Sequence, residues 1–218
     1  MKWEINNNHE IKIEKVLDTK IFIIKNFYKY PEEILSFFKS NKAEYHKPNT
    51  NNSKNGIFFE DKRHKIYSKE FEDVENYLAN IIGQEPKNKG MVLTNEFQFY
   101  KTSFNDYKNK YWIPHTDFGY NALVYFDNSE TNLYKQILHH DFHKLSEHDV
   151  CWIDKKYYEV IYTIKGSYNT CVAFDGKIPH GQNINSDKFV NNKRLTQPIF
   201  FKETKRFLNP TNLVGINN

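Results

Sequence analysis

The chain is poor in the features that mark several large protein classes. Of its 218 residues only 2 are cysteine, Cys151 and Cys171, and no CxxC spacing occurs. That argues against a disulfide framework and fits a reducing, cytoplasmic compartment. Long apolar runs are missing too. Ile21-Phe22-Ile23-Ile24 is among the longest, far short of the roughly 20 residues that span a bilayer. The opening Met1-Lys2-Trp3-Glu4-Ile5-Asn6 lacks the apolar core of a signal peptide, so no membrane partner is expected. With 8 glycines and 7 prolines there is no linker between halves and no internal repeat. One domain spanning residues 1–218 is the expectation, long enough to bury a substantial core. The net charge is only +4, with lysines dispersed along the chain. A dispersed excess of that size favours solubility and gives no reason to expect a nucleic-acid partner.

Aromatic residues are abundant instead, at 17% with 18 Phe and 15 Tyr, against 27% charged residues. That is a globular composition, not a disordered one. Pro31-Glu32-Glu33 suits a helix first turn, followed by an apolar stripe of Ile34, Leu35, Phe37 and Phe38. A second helix is predicted from about Ser68, as its cap, to Gly83, with Phe71, Val74, Leu78, Ile81 and Ile82 on one face. Lys47 to Gly56 is polar and rich in Asn and reads as a long loop. From Met91 the pattern becomes strand-like. Strands are predicted at Ala122–Phe126, Leu133–Leu138, Val150–Ile153, Val160–Ile164, Thr170–Phe174 and Pro198–Phe201, with earlier ones at Ile11–Val16 and Lys20–Lys25. Asp175-Gly176 marks a turn. The fold class implied is mainly β with flanking helices. Helical support covers about 30–84 and a jelly-roll β core about 91–203, with the helices on one outer face.

The chemistry concentrates in Trp112-Ile113-Pro114-His115-Thr116-Asp117, Pro179-His180-Gly181 and Arg194-Leu195-Thr196. Positions i and i+2 of an extended chain point the same way, so His115 and Asp117 can reach one metal. His180 comes much later, after the Thr170–Phe174 strand and its turn, and folding antiparallel sheets would bring it opposite. Two imidazoles and one carboxylate bind one face of a non-haem iron(II) and leave the other positions open. Arg194, a short way past His180, offers a permanently charged fork for an acidic co-substrate. A rival HxD lies in Leu138-His139-His140-Asp141-Phe142-His143, with His148 and Asp149 nearby. It sits among polar residues and does not lead into an apolar strand, so it reads as a solvated connection.

The order HxD, distal His, then Arg resembles the iron(II)/2-oxoglutarate-dependent oxygenases, in their prolyl-4-hydroxylase-like branch. Ile21 through Glu33 is similar to that branch's opening strand and helix, and Phe174-Asp175-Gly176 through His180 to the approach to its distal histidine. Tyr134 echoes the strand after the first ligands, although the usual glycines are absent. The resemblance covers about Ile21 to Phe201.

It implies a double-stranded β-helix, cupin-like, with Fe(II) held by His115, Asp117 and His180. It also implies 2-oxoglutarate chelating the metal, its far carboxylate paired with Arg194 and helped by Thr196. A tyrosine often joins that carboxylate, and Tyr100 and Tyr125 are both candidates, with ordinary core packing as the alternative for each. The implied reaction uses O2 and releases succinate and CO2 as an amino-acid side chain, in a peptide or free, is hydroxylated, with ascorbate supportive. Related halogenases lack the acid ligand, so Asp117 favours hydroxylation. Nucleic-acid demethylases carry a second arginine soon after the first, whereas Arg206 comes too far beyond Arg194 to meet that pattern. Tyr107, Tyr111 and Trp112 read as sandwich aromatics, with a substrate wall as the alternative. Other readings are a non-catalytic jelly-roll binding module, or an oxygenase of a small metabolite or nucleic acid.

Overall fold

Period-two alternation gives one sheet two unlike faces, and that division places each functional candidate. A computed structural model describes residues 3–39, 44–46, 58–100, 109–112, 114–139, 152–184 and 193–202. In chain order the elements are β1 (Glu10–Val16), β2 (Thr19–Lys25), α1 (Pro31–Lys39), β3 (Glu44–His46), β4 (Phe58–Tyr67), α2 (Phe71–Ile82) and β5 (Met91–Tyr100). There follow β6 (Lys110–Trp112), β7 (Tyr120–Tyr125), β8 (Glu130–Gln136), β9 (Trp152–Asp154), β10 (Tyr158–Lys165), β11 (Thr170–Asp175), β12 (His180–Gln182) and β13 (Arg194–Phe200). Eight strands form one sheet in the order β1-β2-β11-β7-β13-β5-β4-β3. A second sheet runs β10-β8-β12, and β6 pairs with β9 as a ribbon.

Along β7, β11 and β13 one set of residues, Ala122, Val124, Cys171, Ala173, Leu195 and Ile199, joins Ile34 and Phe38 of α1 and Phe71, Val74 and Leu78 of α2 in one core. The intervening Tyr125, Val172 and Phe174 turn the other way, onto Leu133 of β8 and Ile164 of β10. This is the layering of an antiparallel β-sandwich with helices on one outer face. The expectation of a mainly β chain with flanking helices holds at that level. The helices form for local reasons. Each carries two acids in its first turn, which complement the dipole. Gly83 closes α2 in the left-handed conformation at φ 76°, its N–H on Ala79 O. Among the described residues no helix is long and apolar enough to cross a membrane.

Several expectations are corrected. The region 30–84 is not only helical, because β4 and β3 lie between the two helices and extend the large sheet through β5. The β4 sequence Phe-Phe-Glu-Asp-Lys-Arg-His-Lys-Ile-Tyr carries an unbroken run of charged and imidazole residues from Glu60 to Lys65. Its strand character comes from its continuous register with β5, from Phe58 opposite Tyr100 to Tyr67 opposite Met91, not from its own alternation. Ser68 does not cap α2. The helix starts at Phe71 with no side-chain cap, while Ser68 Oγ accepts from Trp3 Nε1 at 3.2 Å and donates to Glu70. The last strand begins at Arg194, not Pro198, which puts Arg194 and Thr196 inside a paired strand. The strand expected at Leu133–Leu138 runs Glu130–Gln136. The long loop 47–56 lies outside the described residues.

Candidate metal centre

Backbone register brings together candidate ligands that are remote in sequence. His115 N donates to His180 O at 2.9 Å, and His180 N donates back to His115 O at 2.8 Å. Asp117 N donates to Gly176 O at 2.7 Å, and Gly176 N to Gly119 O at 2.8 Å. The segment 115–119 therefore runs antiparallel to 176–180. A ligand atom from each of His115, Asp117 and His180 lies within 4.8 Å of the other two. Gly176 makes the close approach possible. A Cβ there would stand 2.6 Å from Gly119 O and 3.1 Å from both Asp117 Cβ and Asn121 Nδ2.

The burial is graded, with His115 exposed, Asp117 half-buried and His180 buried. His180 Nδ1 lies 2.9 Å from Ile178 O. A carbonyl oxygen can only accept, so that nitrogen carries the proton, and in the neutral ring Nε2 keeps its lone pair. Nε2 faces Asp117 Oδ2 at 3.3 Å. Asn121 Nδ2 reaches both acceptors, 2.7 Å from Oδ2 and 3.3 Å from Nε2, and a proton or a metal cation between them would relieve their repulsion further. With a second proton on the ring, at Nε2, the His180 hydrogen bond is the largest influence on Asp117; with that from Asn121 and the charge of the protonated imidazoles it outweighs burial and holds the carboxyl down to about 2. The carboxylate is thus ionised at neutral pH and ready to ligate. The trio could hold a metal ion, with the imidazole tautomer set by a backbone carbonyl as in many metal sites.

The arginine end lies on the same inner face. Arg194 is 3% exposed and Thr196 2%, and they alternate with Leu195, which faces the helices. Thr196 is the cross-strand partner of Tyr125, whose hydroxyl shares a 2.7 Å hydrogen bond with Thr131 Oγ1. Burial pushes the Tyr125 phenol up to about 12, with the charge of Arg194 pulling against it. Asp127 fixes the start of β13, its Oδ2 accepting from Leu195 N at 2.8 Å. Asn121 and Tyr125 sit on one face of β7, separated by about 13 Å at roughly 3.3 Å per residue.

Of the two tyrosines left open by sequence, Tyr125 is brought beside Thr196. Tyr100 ends β5, and its side chain lies outside the described residues. Tyr111 packs on Tyr134 with ring centroids 4.8 Å apart and Trp112 on Phe97 at 5.1 Å, so both serve as packing groups. His139 of the rival cluster is exposed; residues 140–149 and Tyr107 lie outside the described residues, as does Arg206. Sequence reasoning missed Asn121, Thr131 and the seat of Gly176 beneath the carboxylate. A signal existed for Asn121, an amide leading the otherwise apolar run Ala-Leu-Val-Tyr-Phe. No protein-family model matches the chain, and no curated protein matches it.

Proposed function

We propose that the chain is an iron(II)- and 2-oxoglutarate-dependent oxygenase with a double-stranded β-helix core. It hydroxylates an amino-acid side chain, in a peptide or free, and releases succinate and CO2. One observation carries the reading: two imidazoles and a carboxylate converge at one end of the inter-sheet face, and a buried arginine lies on that same face.

His115 and His180 offer neutral nitrogens and Asp117 one negative charge, a donor set matched to a divalent ion of intermediate softness. His115, Asp117 and His180 would hold the ion through three donors, fewer than such an ion takes, and so would leave positions for a co-substrate. Iron and 2-oxoglutarate, when bound, supply an oxidant that hydroxylates a carbon at the cost of the keto acid. Arg194 offers the far carboxylate of the co-substrate two parallel N–H donors. Thr196 adds a hydroxyl on the same face, and the Tyr125–Thr131 pair has one proton to turn toward it. Burial of Arg194 strengthens this attraction by removing competing water.

The test uses purified protein under anaerobic conditions with Fe(II) and 2-oxoglutarate, where a weak visible charge-transfer band is expected. Admitting air with ascorbate should yield slow succinate, faster with a true substrate from a peptide or amino-acid library. His180→Ala should lower metal affinity beyond the roughly 10–100-fold typical of a merely supporting residue. Metal-loaded protein that shows the band yet makes no succinate with any library is a binding module, and the enzyme reading fails.

A further inference from the structure

Asn121 is buried on the inner face of β7, 2% exposed, between Phe174 of β11 and Phe200 of β13 in register. Its Nδ2 donates to Asp117 Oδ2 at 2.7 Å and lies 3.3 Å from His180 Nε2. Its Oδ1 is buried with no hydrogen-bond partner. An amide using half of its capacity in a sheet interior costs stability that an apolar residue of similar size would not. Packing therefore does not account for it, and its two contacts are both with metal-ligand atoms. A Cβ at Gly176 would stand 3.1 Å from its nitrogen as well as 2.6 Å from Gly119 O, so the amide is closely seated.

We infer that Asn121 is a positioning residue that locks the carboxylate plane of Asp117 so that one oxygen alone faces the metal. A carboxylate can bind a cation through one oxygen or both. The Asn121 hydrogen bond ties Oδ2, the oxygen 3.3 Å from His180 Nε2, and opposes the rotation that would swing Oδ1 in beside it. The His180 ring is fixed independently, through Nδ1 on Ile178 O. Together these hold an oxygen and a nitrogen at a spacing suited to adjacent coordination positions. The position that a two-oxygen carboxylate would fill stays open for the keto acid. Loss of the amide thus acts on co-substrate binding more than on metal binding. This inference rests on the metal-centre reading above.

The experiment uses Co(II) as a spectroscopic probe in wild type, Asn121→Leu and Asn121→Ala, each checked for folding by thermal melting. Wild type should take up Co(II), and 2-oxoglutarate should perturb its visible bands. In the variants Co(II) affinity should fall less than about tenfold. The 2-oxoglutarate needed for half the spectral change should rise roughly tenfold or more. The Co(II) spectrum without co-substrate should also differ from wild type. No Co(II) uptake by wild type sinks the metal-centre reading and this inference with it. Uptake by wild type, with a folded variant matching its spectrum and co-substrate affinity, overturns the positioning role alone. So does a variant that loses metal and co-substrate binding together.

Discussion

Glu75 and Asp117 lie on opposite sides of the eight-stranded sheet and meet opposite environments. Glu75, on α2, is 2% exposed in the helix-side core, and Gly90 N donates to its Oε2 at 2.6 Å. Burial outweighs that donor and pushes its carboxyl up to about 7. Asp117 is half-buried, but His180 and Asn121 aim at it, and it is held down to about 2. The difference shows how one sheet supports two uses. On the helix side, Glu75 is buried with one backbone donor that does not offset its desolvation, so its charge is a cost. On the inner side, an amide donor and two imidazoles are arranged around the charge, so ionisation is favoured and a metal ion could be held. Stability should belong to the first face and ligand binding to the second.

The sharpest way to break that division is Phe71→Ala. Phe71 is fully buried in the helix-side core, and such truncations cost about 3–5 kcal/mol. Denaturant unfolding should show this loss, while calorimetry below the melting transition finds Mn(II) affinity unchanged. A weakened metal site in the folded variant would show that the two faces are coupled.

Glu75→Gln comes next in size. The folded state raises the pKa of Glu75 above its usual value of 4.5, to about 7, so its contribution is full below 4.5 and is lost as pH rises toward 7. That window corresponds to about 3 kcal/mol at most. The glutamine variant keeps an acceptor for Gly90 N and lacks the titration. It should match wild type at acid pH, below the usual carboxylate value, and be more stable by up to that amount above neutrality, as read by urea unfolding across pH. Parallel pH profiles would mean that Glu75 is already ionised in the folded protein.

The smallest expected effect is at the arginine end. Arg194→Lys keeps the charge and loses the planar fork. The 2-oxoglutarate dissociation constant of the metal-loaded protein should rise roughly tenfold, about 1.4 kcal/mol, with metal affinity unaltered. An unchanged constant would remove Arg194 from the co-substrate site and leave the inner face with a metal centre only.

Local patterns and long-range register divide the legibility of this chain. The stripe in Phe71, Val74 and Leu78 announces α2, and the acids at its start announce its direction. By contrast β4 hides its alternation under charge and exists through its pairing with β5 along its whole length. At the site the donor types, HxD, distal His and Arg, were readable as a string. That His180 could fold opposite the first pair was an expectation, but its register was not readable, because it depends on the bridge between His115 and His180, which joins segments with no local relation. The tyrosine beside Thr196 was likewise undecidable by spacing, whereas pairing of β7 with β13 sets Tyr125 opposite it.

By itself the sequence determined which residues could be ligands, which segments would bury an apolar face, and that its lysines are dispersed along the chain. Those properties follow from side-chain chemistry and from periods of about two and 3.6 residues, both of which are local. Only the tertiary structure decided that Asp117 is surrounded by donors while Glu75 is not. It alone decided that Asn121 reaches two of the candidate ligands, and that Gly176 must be small because the Gly119 carbonyl oxygen stands where its Cβ would be, with Asp117 and Asn121 next to it. Each of these depends on which strands become neighbours, and strand neighbourhood is set by the burial of whole faces, not by the residues adjacent in the chain.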